Sequence, residues 1–190
     1  MPLSAAPSPR RLLHTREVTL QGYLREDGLI EVEARMTDVK SYSMANIDRA
    51  GIPAGVPLHD MWIRMTLTVE EMEIVACEAA MDSTPYNICP QTAPNMARLV
   101  GLKIGKGFLR AAAQRVGGVE GCTHLRELLQ PVATTAYQTR YSVLNHGPDG
   151  GEGKDKPGLA PALLNTCHSY NETGPVVARL RAEAELSAPN

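Results

Sequence analysis

Apolar and polar positions alternate with period two through most of the first half of the chain. Val18, Leu20 and Gly22 alternate with polar neighbours, and Tyr23 follows. Arg25-Glu26-Asp27-Gly28 then reads as a turn, because Asp-Gly supplies the positive φ values that a tight hairpin needs. Ile30, Val32, Ala34 and Met36 alternate with Glu31, Glu33 and Arg35, the pattern of a half-buried strand. A loop is expected from Lys40 to Pro57. From Leu58 to Val69 the alternation resumes, with Met61, Ile63, Met65, Leu67 and Val69 on one face and Trp62, Arg64, Thr66 and Thr68 on the other. His59 shares the Met61 face. Glu70-Glu71 reads as a turn into a partner strand, Glu73 to Ala80. The result is an antiparallel meander of about four strands.

The second half changes period. Pro85 and Pro90 bracket Cys89 in a loop, and a short helix is predicted from about Gln91 to Val100. Phe108, Leu109, Ala112 and Val116 fall at three-and-four spacing, with Gly117-Gly118 as a stop. A third helix starts near Cys122, with Leu125, Leu128, Leu129 and Val132 as its apolar stripe. Pro131 lies inside that run and is expected to kink or end it. A last helix follows Gly174-Pro175, carrying Val176, Val177 and Leu180. Strands first and helices second make an α+β protein, with three or four helices packed on one face of the sheet. Residues 1–13 read as a flexible lead-in and 146–158 as a mobile loop. Residues 14–145 and 159–186 form the expected single domain.

Composition narrows the function. A chain of 190 residues that is 43% apolar fills about one domain. A net charge of −2 and a pI near 6.2 lack the concentrated basic face of a nucleic-acid binder. With aromatic residues at 4%, a base-stacking platform is not expected either. No apolar run approaches the roughly 20 residues of a membrane span. Residues 1–11 lack the apolar core of a signal peptide, so a cytoplasmic location is expected. There the four cysteines would be free, metal-bound or catalytic, not a disulfide scaffold.

Candidate chemistry concentrates in three places. Gly121-Cys122-Thr123-His124-Leu125 joins a glycine turn to an amphipathic helix. Unpaired N–H groups concentrate partial positive charge there, a setting for a nucleophilic thiol or for neutral metal ligands. A second pair stands at Cys167-His168, and Cys89 lies in a Pro-bounded loop. Cys89, Cys122 and His124, with Cys167 or His168, would complete a four-coordinate set for zinc or iron. Their spacing is not diagnostic, and no Cys-x-x-Cys is present. The third place is His59-Asp60, opening a strand whose hairpin partner ends near Asp82. A carboxylate beside an imidazole fixes its tautomer and makes a general base. Tyr86 would add a hydroxyl donor, and the single Trp, Trp62, borders the pair. Cys77 sits in a strand and reads as core. Asp38 and Lys40 read as an ion pair of little energetic weight. There is no P-loop, nucleophile elbow or dinucleotide fingerprint, so no nucleotide cofactor is expected.

Several motifs occur together in order: Tyr23-Leu-Arg-Glu-Asp-Gly28, Thr37-Asp38-Val-Lys40, His59-Asp60-Met61-Trp62, Pro85-Tyr86-Asn-Ile-Cys89, Gly121-Cys122-Thr123-His124-Leu125 and Thr166-Cys167-His168. In these the chain resembles the bacterial domain-of-unknown-function family numbered 2889, over about residues 14 to 180. That resemblance implies a setting among catabolic genes for aromatic or acyl-CoA compounds. The meander followed by a loop cysteine and a Gly-Cys helix start is also loosely similar to iron–sulfur assembly scaffolds, a likeness of topology alone.

Three readings follow. The first is an enzyme, metal- or thiol-dependent, of lyase or hydrolase type, acting on a small carbonyl or thioester compound. The second is a carrier of a metal or an iron–sulfur cluster. The third is an accessory protein whose Cys and His are structural. The enzyme leads. Its partner would be a small-molecule substrate, with neither nucleic acid nor membrane, and a homo-oligomer stays open.

Overall fold

The computed structural model describes residues 3–146 and 163–186. The protein is α+β. Four strands, β1 (His14–Leu24), β2 (Ile30–Lys40), β3 (Pro57–Leu67) and β4 (Ile74–Ser83), form one antiparallel sheet in sequence order. The expected Asp-Gly turn joins β1 to β2. Gly28 has φ of 80°, and Arg25 N donates to Leu29 O at 2.8 Å. The expected mobile loop, 146–158, lies outside the described residues apart from His146.

Strand parity sets the two faces of the sheet. Ile30, Val32, Ala34 and Met36 of β2 and Met61, Ile63, Met65 and Leu67 of β3 are at most 1% exposed. Each such large side chain contributes about 1.5–3 kcal/mol by leaving water. The opposite face is polar. There Arg64 pairs with Glu33 and Glu78, and Arg35 pairs with Asp60 while lying 4.7 Å over the Trp62 ring.

Chain contacts divide the protein into two compact units, Met1–Tyr141 and Ser142–Asn190. The first holds the sheet, a 3₁₀ segment (Cys89–Leu99), α1 (Phe108–Val116) and most of α2 (Thr123–His146). The second holds the end of α2, a turn-rich segment and α3 (Pro175–Leu186), which starts with Pro after Gly174 as expected.

Two proline-bearing segments have plain causes for their form. The expected short helix is present over 89–99 as a 3₁₀ helix, because Pro90 and Pro94 remove two N–H donors and an α-helical ring at 94 would strike the carbonyl four residues back. Pro131 does not end α2, which continues to His146. Leu125, Leu128, Leu129, Val132 and Ala136, all at most 2% exposed, span the proline and hold the helix against the cost of the lost hydrogen bond. No helix among the described residues is long and apolar enough to cross a membrane.

The last turns of α2 in the first unit cross β1 at Gly22. A Cβ at this glycine would overlap Thr139 Oγ1. Gly22→Ala is therefore expected to cost about 1–3 kcal/mol in denaturant unfolding. Thr139→Ala in the same chain should restore most of that loss.

Candidate metal centre

The stripe of core-facing residues on β2 ends in a carboxylate. Asp38 follows Ile30, Val32, Ala34 and Met36 on the same face and is 1% exposed. Cross-strand register brings Arg16 of β1 opposite it on one side and His59 of β3 on the other. Arg16 donates Nε to Oδ1 and Nη2 to Oδ2, both at 2.8 Å. His59 Nδ1 lies 2.9 Å from Oδ2. An ionised carboxylate only accepts, so His59 is the donor through Nδ1, which leaves its Nε2 lone pair free of that bond. A bulge between Asp38 and Val39 breaks the register with β3 immediately beyond this row.

Helix α2 closes the site from the other side. Cys122 O accepts from Arg126 N at 3.1 Å, which makes Cys122 the cap of the helix. His124, in the first turn, stacks on His59 with ring centroids 3.9 Å apart and a 37° tilt. Its Nε2 is 3.9 Å from Asp38 Oδ2, and its Nδ1 is 3.9 Å from Cys122 Sγ. One turn on, Glu127 accepts from Arg16 Nη1 at 2.6 Å and ties the helix to β1. His14, the first residue of β1, places Nε2 3.0 Å from Asp38 Oδ1. Three of the five histidines in the sequence thus surround one buried carboxylate.

The charges follow from this packing. Burial pushes the Asp38 carboxyl up, but hydrogen bonds from Arg16 and His59 outweigh it and bring it down to about 2. Burial, then the neighbouring His124, lowers His59, against the opposing pull of Asp38. His59 is accordingly neutral near pH 7, the form in which imidazole acts as a base or a ligand. Asp38, His59 and His124 each offer a donor atom, and these atoms all lie within 4.8 Å of one another.

The other sequence candidates have other places. Asp60 follows His59 and so points to the opposite face, where Arg35 donates to both its oxygens at 2.9 and 2.7 Å. Asp82 is the extra residue of a bulge opposite Asp60/Met61 and accepts from Trp62 Nε1 at 2.9 Å. Trp62 therefore belongs to the polar face and does not border His59's site. Tyr86 is 52% exposed. Cys89 starts the 3₁₀ segment, with its carbonyl capped by Thr92 Oγ1 at 3.0 Å. Cys89 and Cys122 are not members of the three-donor group. Cys167 and His168 lie in the second unit and are exposed there. All four cysteines are free thiols, and Cys77 is core, its thiol pushed up to about 12 by burial.

Asp38 is a correction to the sequence reading: it pairs with Arg16 and His59, not with Lys40. The signal was present in its parity, since it continues the buried stripe of β2. His14, Arg16 and Glu127 carried no such signal, because each reaches the site only through strand register or helix packing.

Fold and site together define an α+β protein with a carboxylate–imidazole cluster at one end of a four-stranded sheet. The chain belongs to the family described as Protein of unknown function (DUF2889), whose model matches residues 14–138. No curated protein and no solved structure matches it, so the topological likeness to iron–sulfur scaffolds carries no argument.

The depressed Asp38 carboxyl stabilises the fold at pH values above its unfolded value of 3.8, and that contribution is lost as pH falls toward 2. Asp38→Asn should cost about 3 kcal/mol at pH 7, because it leaves the Arg16 charge without its partner. In urea titrations the variant should also lose stability less steeply than the parent between pH 4 and pH 2, values that bracket the shift.

Proposed function

We propose that this protein is a metal-dependent enzyme acting on a small carbonyl or thioester compound, with the ion held by Asp38, His59 and His124. The observation that carries this reading is the convergence of those three donor atoms within 4.8 Å of one another. One carboxylate and two imidazoles suit a divalent first-row ion such as zinc or iron and leave coordination positions open. An ion there would polarise a carbonyl oxygen or activate a water. Neutral His59, which keeps one ring lone pair free, and ionised Asp38 are already in the protonation states that ligation needs. The donors favour a single ion over an iron–sulfur cluster, whose irons are held mainly by thiolates. The family resemblance supports a place in the catabolism of aromatic or acyl-CoA compounds.

A thiol-dependent reading has its own observation, the 3.9 Å approach of Cys122 Sγ to His124 Nδ1 at the cap of α2. Nucleophile and base then stand side by side, with Asp38 beyond His124 Nε2.

Titration of the metal-free chain with zinc or cobalt(II) followed by calorimetry separates the readings. The metal reading expects one ion per chain, with affinity reduced at least roughly 100-fold in His59→Ala and His124→Ala. Cys89→Ser should leave binding unchanged. Failure of the parent chain to bind, or tight binding that survives both histidine changes, contradicts this reading.

Turnover of short acyl thioesters by the zinc-loaded chain tests the chemistry. If Cys122→Ser keeps both metal and turnover, the thiol reading fails. If it keeps the metal and loses turnover by roughly 100-fold or more, the thiol is the nucleophile.

A further inference from the structure

We infer that His14 is a positioning residue of this centre, acting on the metal through the far oxygen of Asp38. The inference rests on the metal reading above and deepens it. The two carboxylate oxygens of Asp38 face different surroundings. Oδ2 looks toward His59 at 2.9 Å and His124 at 3.9 Å, and also accepts from Arg16 Nη2 at 2.8 Å. Oδ1 looks toward Arg16 Nε at 2.8 Å and His14 Nε2 at 3.0 Å. A carboxylate ligand is oriented and tuned by the groups that hold its non-ligating oxygen. His14 and Arg16 are those groups here.

Their roles differ. Arg16 carries a full charge, is bidentate to Asp38, and is tied to Glu127 on α2, so it belongs to the framework of the fold. His14 opens the edge strand β1, and 35% of its side chain is exposed, against 2% for Asp38. Its removal is expected to leave the Arg16–Asp38 pair in place, since Arg16 makes its own two hydrogen bonds to the carboxylate. His14 is also outside the group of donors that lie within 4.8 Å of one another, which makes it a partner of the ligand and not a ligand.

The test uses the full chain and cobalt(II) or zinc alone. Affinity is measured by competition with a chromophoric chelator, and the cobalt absorption bands report the ligand field. His14→Ala should weaken binding roughly 10- to 100-fold and shift the cobalt bands. His14→Gln, whose amide N–H reaches the same oxygen, should restore affinity to within about threefold of the parent, since the lost contact is a single donor. His168→Ala, in the second unit, should change neither. Circular dichroism of each variant confirms that it is folded. Metal binding by the parent with unchanged affinity and bands in His14→Ala overturns the role of His14 alone. Weakening that His14→Gln does not relieve also overturns it. Absence of binding by the parent overturns the metal reading and this inference with it.

Discussion

A carboxylate on the core face of a sheet must find donors, because an unpaired buried charge costs far more than a domain can spare. Asp38 finds them on both neighbouring strands, Arg16 and His14 on β1 and His59 on β3. That requirement fixes the register of three strands at one end of the sheet. A slip of one residue would turn Asp38 to the polar face and bring its neighbours Thr37 or Val39 inward. The same carboxylate sets the His59 tautomer. Through Arg16 and Glu127 it also holds the first turn of α2, which carries His124 over His59. The interaction that closes this end of the fold is the one that assembles the candidate centre.

The two faces of the sheet show how far position changes the meaning of a residue. Asp60 is satisfied by neighbours of its own face: Arg35 donates to both its oxygens and lies over the Trp62 ring. That arrangement satisfies a strand end and keeps the polar face wet. Asp38 has an arginine fork of the same kind, yet it faces inward and gathers three imidazoles. Parity along the strand separates an ion pair on the polar face from a site on the core face.

Most of the fold was legible in the chain. The alternation of Ile30, Val32, Ala34 and Met36, and of Met61, Ile63, Met65 and Leu67, is strong enough to define strands and faces, and Asp27-Gly28 marks the hairpin. The 3₁₀ segment was harder to read, because prolines near a helix start are compatible with either helix type until the carbonyl four residues back from Pro94 is considered. Of the site, His59 and His124 were legible as chemistry-bearing residues beside recognisable breaks in pattern. Their carboxylate was sought in Asp60 or Asp82, the sequence neighbours and hairpin partners of His59. It comes instead from β2, across the other side of β3's ladder. Cross-strand partners depend on the register of two hairpins together, and a residue such as His14, at the far end of an edge strand, declares itself only once that register is known.

Asp38, His59 and His124 are proposed to hold one metal ion. Anomalous diffraction at the zinc absorption edge, from crystals soaked in a zinc salt, tests it most directly. The expected result is a single strong peak about 2.0–2.2 Å from an oxygen of Asp38 and a ring nitrogen of each histidine. A map with no peak at those three residues, or with zinc held by cysteine sulfur elsewhere in the chain, would contradict it.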